Sequence, residues 1–281
     1  MCVSPSHFAQ HLAVIRERAN PIRLSELVRG LEEDRIPPRA VVVTFDDGYA
    51  DNLYRAKPLL EQTAVPATVF VITGRIGGEL WWDELARIVA TASAPNLSIE
   101  LPGTGFRWGS GGSAGSDPRT ELLQALQRAL QSLGDDARAD ALAQIRDSLA
   151  DGTPGRVTHR CLDADELSAL AGGDLIEVGA HSHTHPDLAS LTGEDQRREV
   201  ERSKAALEQL VDRPVQGFSY PHGSFNDASR RIVRECGFAS ACGSTPDLSR
   251  RRSDLFALPR LFVSDIDGAT FAKWLGWWLG D

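Results

Sequence analysis

Little in this chain could staple a fold covalently or cross a membrane. Four of its 281 residues are cysteine, at positions 2, 161, 236 and 242. None stands in a CxxC spacing, and a chain of this length needs no disulfide framework. They are expected to behave as small buried hydrophobes. No apolar run approaches the roughly 18 residues of a membrane-spanning helix. The first seven residues, Met1 to His7, have neither the basic stretch nor the apolar core of a signal peptide, and Cys2 lacks the setting of a lipoprotein cysteine. As written, the chain is expected to be soluble and cytoplasmic, and extracytoplasmic if further residues precede it. Positive charge is also short. Thirty Lys and Arg face 39 Asp and Glu, for a formal charge of -9 and a pI near 5.3. A nucleic-acid backbone is therefore not an expected partner. No feature of the sequence specifies an oligomeric state.

The 42% hydrophobic content can build one sizeable core. Two stretches near the N-terminus read as helices, His7 to Arg18 and Ser25 to Leu31, and Arg35-Ile36-Pro37-Pro38 ends the second. Strand-like runs follow at 40–45, 67–73, 175–180, 215–220, 238–242 and 255–263. They alternate with amphipathic segments at 51–62, 80–92, 163–171, 193–210, 227–236 and 269–279. Such alternation has a parallel sheet as its default outcome. The pattern breaks between about 93 and 160. Residues 102–118 are rich in Gly and Ser and read as a loop, and 121–133 and 137–149 read as polar helices. This stretch is expected to be an insertion within a single domain spanning 1–281.

Residues capable of chemistry gather where strands should end. The run Val41-Val42-Val43-Thr44-Phe45 leads into Asp46-Asp47-Gly48. Adjacent carboxylates repel unless a cation or a proton separates their roles, so the pair asks for a metal. A second run, Leu175 to Ala180, ends in His181-Ser182-His183-Thr184-His185, with three of the chain's seven histidines. Tyr220-Pro221-His222-Gly223 follows a third run, and Arg260 stands late in a fourth. In barrel-like α/β folds the C-terminal ends of the strands share one face. Two histidines and a carboxylate are a common set for a hydrolytic metal. That leaves the second aspartate free to act as a base.

These motifs are similar to those of the NodB-homology polysaccharide deacetylases. Thr44-Phe45-Asp46-Asp47-Gly48 matches the family's TFDDG, His181 to His185 matches its H-[ST]-x-x-H, and Pro66 to Phe70 is also family-like. The resemblance runs from about residue 5 to 275. It implies a distorted (β/α) barrel with fewer than eight units and metal-dependent removal of acetyl groups, mostly N-acetyl, from an acetylated glycan. It further implies Asp47, His181 and His185 as metal ligands and Asp46 as general base. Zn2+ is the expected metal, with Co2+, Ni2+ and Mn2+ as alternatives. The segment Phe218 to Gly223 resembles a third motif, in which the amide of His222 would help hold an oxyanion. Two departures stand out. Ser219 occupies the place of a customary arginine, so Arg260 becomes the source of the guanidinium that steadies the base. No histidine follows His222, which leaves the general acid open among the His222 side chain, His183 and a water on the metal.

Other residues carry weaker expectations. Tyr49, Tyr220 and Pro221 are candidates for lining the substrate site, and Asn52 is near enough to join them. His183 is expected in the pocket wall. Trp81 and Trp82 either stack on sugar rings or pack in a core. Trp277 and Trp278 are expected to pack or to mark an interface, and Arg250-Arg251-Arg252 to be a solvated loop. Two other functions are compatible with the motifs: an amidohydrolase acting on a small non-sugar amide, and a non-catalytic carbohydrate-binding relative.

Overall fold

The computed structural model describes residues 2–92, 99–101, 106–108, 117–131, 133–149 and 152–280. They divide into two compact units, 1–77 with 161–281, and 78–160. In chain order the elements are α1 (Pro5–Arg18), β1 (Asn20–Pro21), α2 (Leu24–Glu33), β2 (Ala40–Val41), β3 (Val43–Phe45), α3 (Lys57–Thr63), β4 (Ala67–Val71) and α4 (Trp81–Thr91). There follow β5 (Ile99–Leu101), β6 (Phe106–Trp108), α5 (Pro118–Gln131), α6 (Asp135–Ser148), α7 (Ala164–Ala171), β7 (Ile176–Ala180) and α8 (Gly193–Val211). The chain closes with β8 (Gly217–Ser219), α9 (Asp227–Glu235), β9 (Ser240–Cys242) and α10 (Gly268–Leu279).

The first unit is built on a parallel sheet in the order β3-β4-β7-β8-β9. Strand β4 is buried along its whole length, as expected for a parallel strand covered on both faces. Its register sets Phe70 opposite Gly179. A Cβ at position 179 would run into the Phe70 ring, so glycine there gives the ring its space. Strands β1 and β2 pair in parallel as a separate two-stranded sheet. Helix ends follow local chemistry. Ser4 caps α1 and Pro5 occupies its first turn, where a missing N–H costs nothing. Asp163 and Glu166 form a capping box on α7, and Asp267 caps α10 by accepting from the Thr270 amide.

The run at 255–263, expected as a strand, meets the sheet through an isolated parallel bridge between Cys242 and Leu258 and a bond from the Ala241 amide to the Leu255 carbonyl. The Leu258 amide donates to Ala241 and its carbonyl accepts from Gly243. Pro259 then has no N–H with which to extend a ladder. The segment is therefore an irregular stave that carries Arg260 back toward β3.

The second unit packs α4, α5 and α6 around Leu85, Ile88, Leu122, Leu126, Leu142 and Ile145. Strands β5 and β6 form an antiparallel pair, where the sequence suggested a loop through 106–108. The rest of the 102–118 stretch lies mostly outside the described residues. Trp81 is buried beneath the Arg138 guanidinium, 5.2 Å from the ring centroid, and Trp82 packs against the same core. Both tryptophans serve this unit's packing. Glu79 accepts from Arg87 Nε at 3.0 Å, from Arg156 Nε at 2.9 Å and from the Arg156 amide at 3.0 Å. Burial would raise the Glu79 pKa, but the hydrogen bonds from Arg156 and Arg87 outweigh it and hold the carboxyl below its usual range.

Candidate metal centre

The β-branched run of β2 and β3 ends at Phe45, and the backbone turns at once. Asp47 and Gly48 both have positive φ, 72° and 76°. A side chain at 48 would also press on Val71, so glycine is the residue that fits this turn. The turn sends the two adjacent carboxylates in different directions. Asp46 faces Arg260, and Asp47 faces the histidines.

His181 follows directly on β7, and its amide continues the ladder to Val71 at 3.0 Å. Its Nδ1 lies 2.7 Å from the Ser219 carbonyl. A carbonyl only accepts, so Nδ1 carries a proton and Nε2 is the ring nitrogen left to face the other donors. That Nε2 lies 3.6 Å from Asp47 Oδ1, and His185 Nε2 lies 3.7 Å from the same oxygen. All three ligand atoms fall within 4.8 Å of one another, with both histidines buried. These separations exceed hydrogen-bond length. They suit three donors sharing one ion, since ligands about 2.0–2.1 Å from a tetrahedral metal stand roughly 3.4 Å apart. The residues therefore fit a divalent metal by donor type and spacing.

Asp46 is held by a two-pronged ion pair. Arg260 donates from Nη1 to Oδ1 and from Nη2 to Oδ2, each at 2.8 Å. The guanidinium is itself fixed by the Gly243 carbonyl at 2.9 Å, Ser219 Oγ at 2.9 Å and Thr44 Oγ1 at 3.3 Å. It also lies over the Phe70 ring at 5.6 Å. Burial, the largest influence on Asp46, raises its pKa. The charges of His181 and Arg260 and the hydrogen bonds from Arg260 and Ser219 reverse this and hold it below the usual carboxylate range. The Asp46 side chain keeps 34% of its surface exposed, so solvent can reach it.

The remaining candidates sort themselves by position. The His222 ring stands edge-on to His185, with centroids 4.6 Å apart, and is exposed. Its φ is 58°, a strained value for a residue with a side chain. His183 turns elsewhere, its Nδ1 hydrogen-bonded to Thr73 Oγ1 at 2.9 Å, outside the ligand triple. Tyr220 is fully buried and stacks on Phe225. Its hydroxyl donates to the Phe256 carbonyl at 3.0 Å, which places the ring in the core and away from a substrate surface. Pro221 is likewise buried. Tyr49 is half-buried beside the aspartates and bridges to Cys161. Asn52 is buried, its amide donating to Asp51.

Two contributors escaped the sequence reading. The Ser219 hydroxyl fills the gap of the missing arginine by accepting from Arg260. Glu199, in α8, binds the turn between His181 and His185. The first was legible only as a departure from a motif. The second is one acidic residue among many on a charged helix, with no spacing signal to mark it.

The sequence matches the family model described as Polysaccharide deacetylase over residues 33–94 and 150–241. It is 20% identical over 247 residues to the putative polysaccharide deacetylase YxkH of Bacillus subtilis (strain 168), covering 87% of this chain and 60% of that one. It is 32% identical over 78 residues to a poly-beta-1,6-N-acetyl-D-glucosamine N-deacetylase of Staphylococcus aureus, covering 27% of each chain. The chain thus spans about 60% of the length of the first relative and about a quarter of the second. Among solved structures, the Streptococcus pyogenes deacetylase PplD in complex with acetate superposes with a TM-score of 0.62 at 17% identity, over 96% of this chain and 86% of that one. At that identity the likeness establishes the fold, a distorted (β/α) barrel.

Proposed function

The chain belongs to the polysaccharide deacetylase family, and from that premise and the geometry of its centre we propose that it is a metal-dependent hydrolase removing acetyl groups from a carbohydrate. The observation that carries this reading is the convergence of Asp47, His181 and His185 beside an Asp46 already locked to Arg260. The preferred substrate is an N-acetylated glycan, the chemistry named for the staphylococcal relative. The His/His/Asp donor set suits Zn2+, and Co2+, Ni2+ or Mn2+ would also be accommodated.

Bound by Asp47, His181 and His185, the metal would supply Lewis acidity toward the acetyl carbonyl and acidify a water. Asp46 takes the proton from the attacking water onto a carboxylate oxygen. Held below the usual carboxylate range, Asp46 is a weak base. Arg260, with Ser219 and Thr44 behind it, keeps the carboxylate aimed. The His222 amide is assigned to the developing oxyanion. Its ring, exposed and beside His185, is the histidine placed to hand a proton to the leaving amine, since His183 is engaged with Thr73. Acetate and a free amino sugar leave.

The test is acetate release from a panel of N-acetylated oligosaccharides, with and without chelator and metal add-back. Chelator-sensitive release restored by Zn2+ is expected. Bound metal without release from any glycan would turn the assignment to a non-sugar amide. Absence of metal binding would turn it to a non-catalytic carbohydrate-binding relative.

A further inference from the structure

We propose that Glu199 is a positioning residue for the metal centre, its carboxylate seated in the turn between His181 and His185 and holding both histidines in ligand geometry. The inference rests on the metal reading above and concerns a residue outside both motifs.

The turn is short and strained. Ser182 and His185 have φ of 61° and 60°, the left-handed region that residues with side chains avoid. A backbone bent this way must place its amides somewhere. The His183 amide donates to Glu199 Oε2 at 3.0 Å and the Thr184 amide to the same oxygen at 2.7 Å. Two successive N–H groups converging on one anion form a backbone nest, and here the anion is a side chain of the protein itself. The Thr184 hydroxyl adds a third bond, to Oε1 at 2.9 Å. The His185 amide is taken by Ser182 Oγ at 3.0 Å. On the other side of the turn, the His183 carbonyl accepts from the Gly74 amide at 2.7 Å. The segment joining the two ligands is thus pinned by α8 on one side and by the end of β4 on the other.

Helix α8 explains why this carboxylate points inward. Its charged residues mostly face solvent, but Gln196, Val200, Ser203 and Leu207 are buried against the unit's core. Glu199 lies three residues after Gln196 and four before Ser203, so it shares their side of the helix. A carboxylate there would be costly without partners, and the turn's two amides and hydroxyl supply them. Its three hydrogen bonds are charge-assisted. They favour the bent conformation that sets His181 and His185 Nε2 near one Asp47 oxygen, so pre-organisation of the ligands depends on them.

Zn2+ affinity, measured on the apo protein by competition with a chromophoric chelator, tests this. Outer-shell removal at metal sites costs about 10–100-fold in affinity, and Glu199→Ala is expected to weaken the Zn2+ Kd by that much. Glu199→Gln, which keeps an acceptor oxygen for the amides but loses the charge, should fall between wild type and Ala. Apo thermal midpoints are recorded in parallel. A lowered midpoint with a wild-type Kd in Glu199→Ala is the mark of a merely structural role and overturns the proposal. If Glu199→Ala does not fold, Glu199→Gln decides, and a wild-type Kd there overturns it. A wild-type protein that binds no Zn2+ would remove the metal reading and this inference together. Wild-type binding with no effect of either variant would remove this inference alone.

Discussion

Each of the two compact units contains a carboxylate gripped by arginine, and the two centres have opposite consequences. In the helical unit, Glu79 is enclosed by Arg87 and Arg156, and its side chain is only 6% exposed. Every bond it makes ties one piece of that unit to another. In the sheet unit, Asp46 makes an equally close pair with Arg260 but keeps a third of its surface open. Beside it stands a second carboxylate, with His181 Nε2 and His185 Nε2 at 3.6 and 3.7 Å from one of its oxygens. A buried ion pair is weak evidence for function, because structural networks perturb carboxylates in the same direction. What separates the centres is exposure of the carboxylate and an adjacent donor set spaced for an ion.

The sharpest way to break this contrast is to neutralise each carboxylate in turn. Asp46→Asn is expected to lower kcat by about 10²–10⁴-fold, the usual worth of a general base, while the zinc content measured by metal analysis stays at the wild-type level. Full turnover in this variant would return Asp46 to the structural class. Glu79→Ala should do the reverse. Removing one partner of a buried pair leaves an uncompensated charge and costs about 3 kcal/mol, read as a lower denaturation midpoint, with zinc affinity and kcat/KM unchanged. A loss of zinc affinity in Glu79→Ala would erase the distinction between the centres. The smallest effect is one the centres share. Both carboxyls are held below their usual range in the folded state. A depressed carboxylate stabilises the fold above its unfolded-state pKa, and that contribution is lost as pH falls through the folded value. Urea midpoints should therefore be flat above about pH 5 and decline below about pH 4. The decline should be shallower in Glu79→Gln, and an identical slope would mean that Glu79 does not contribute.

Much of the fold was legible because its signals are local. The strand-like runs at 40–45, 67–73 and 175–180, the helices between them and the cap at Asp163 follow from short-range periodicity. The candidate metal donors were legible for the same reason. Asp47 sits where a buried strand must turn, and His181 and His185 are four residues apart after another strand. The segment at 255–263 was misread because its apolar composition suits a strand, while Pro259 and the partners available to it limit pairing to a bridge. Tyr220 looked available for substrate from its place beside His222, but burial against Phe218 and Phe225 withdraws it. The acceptor of its hydroxyl, the Phe256 carbonyl, lies 36 positions away.

The sequence alone determined the alternation of strand and helix, the strand ends at which polar residues emerge, and the chemical types gathered there. These depend on neighbours within a turn or two, where propensity and periodicity operate. Only the tertiary structure decided which carboxylate meets which partner. Arg260 reaches Asp46 across 214 positions, and Glu199 reaches a turn 15 and 16 residues away through a helix that reverses the chain. A side chain's role at such distances depends on which faces the packed core leaves pointing at one another, and that is fixed only when the sheet is assembled.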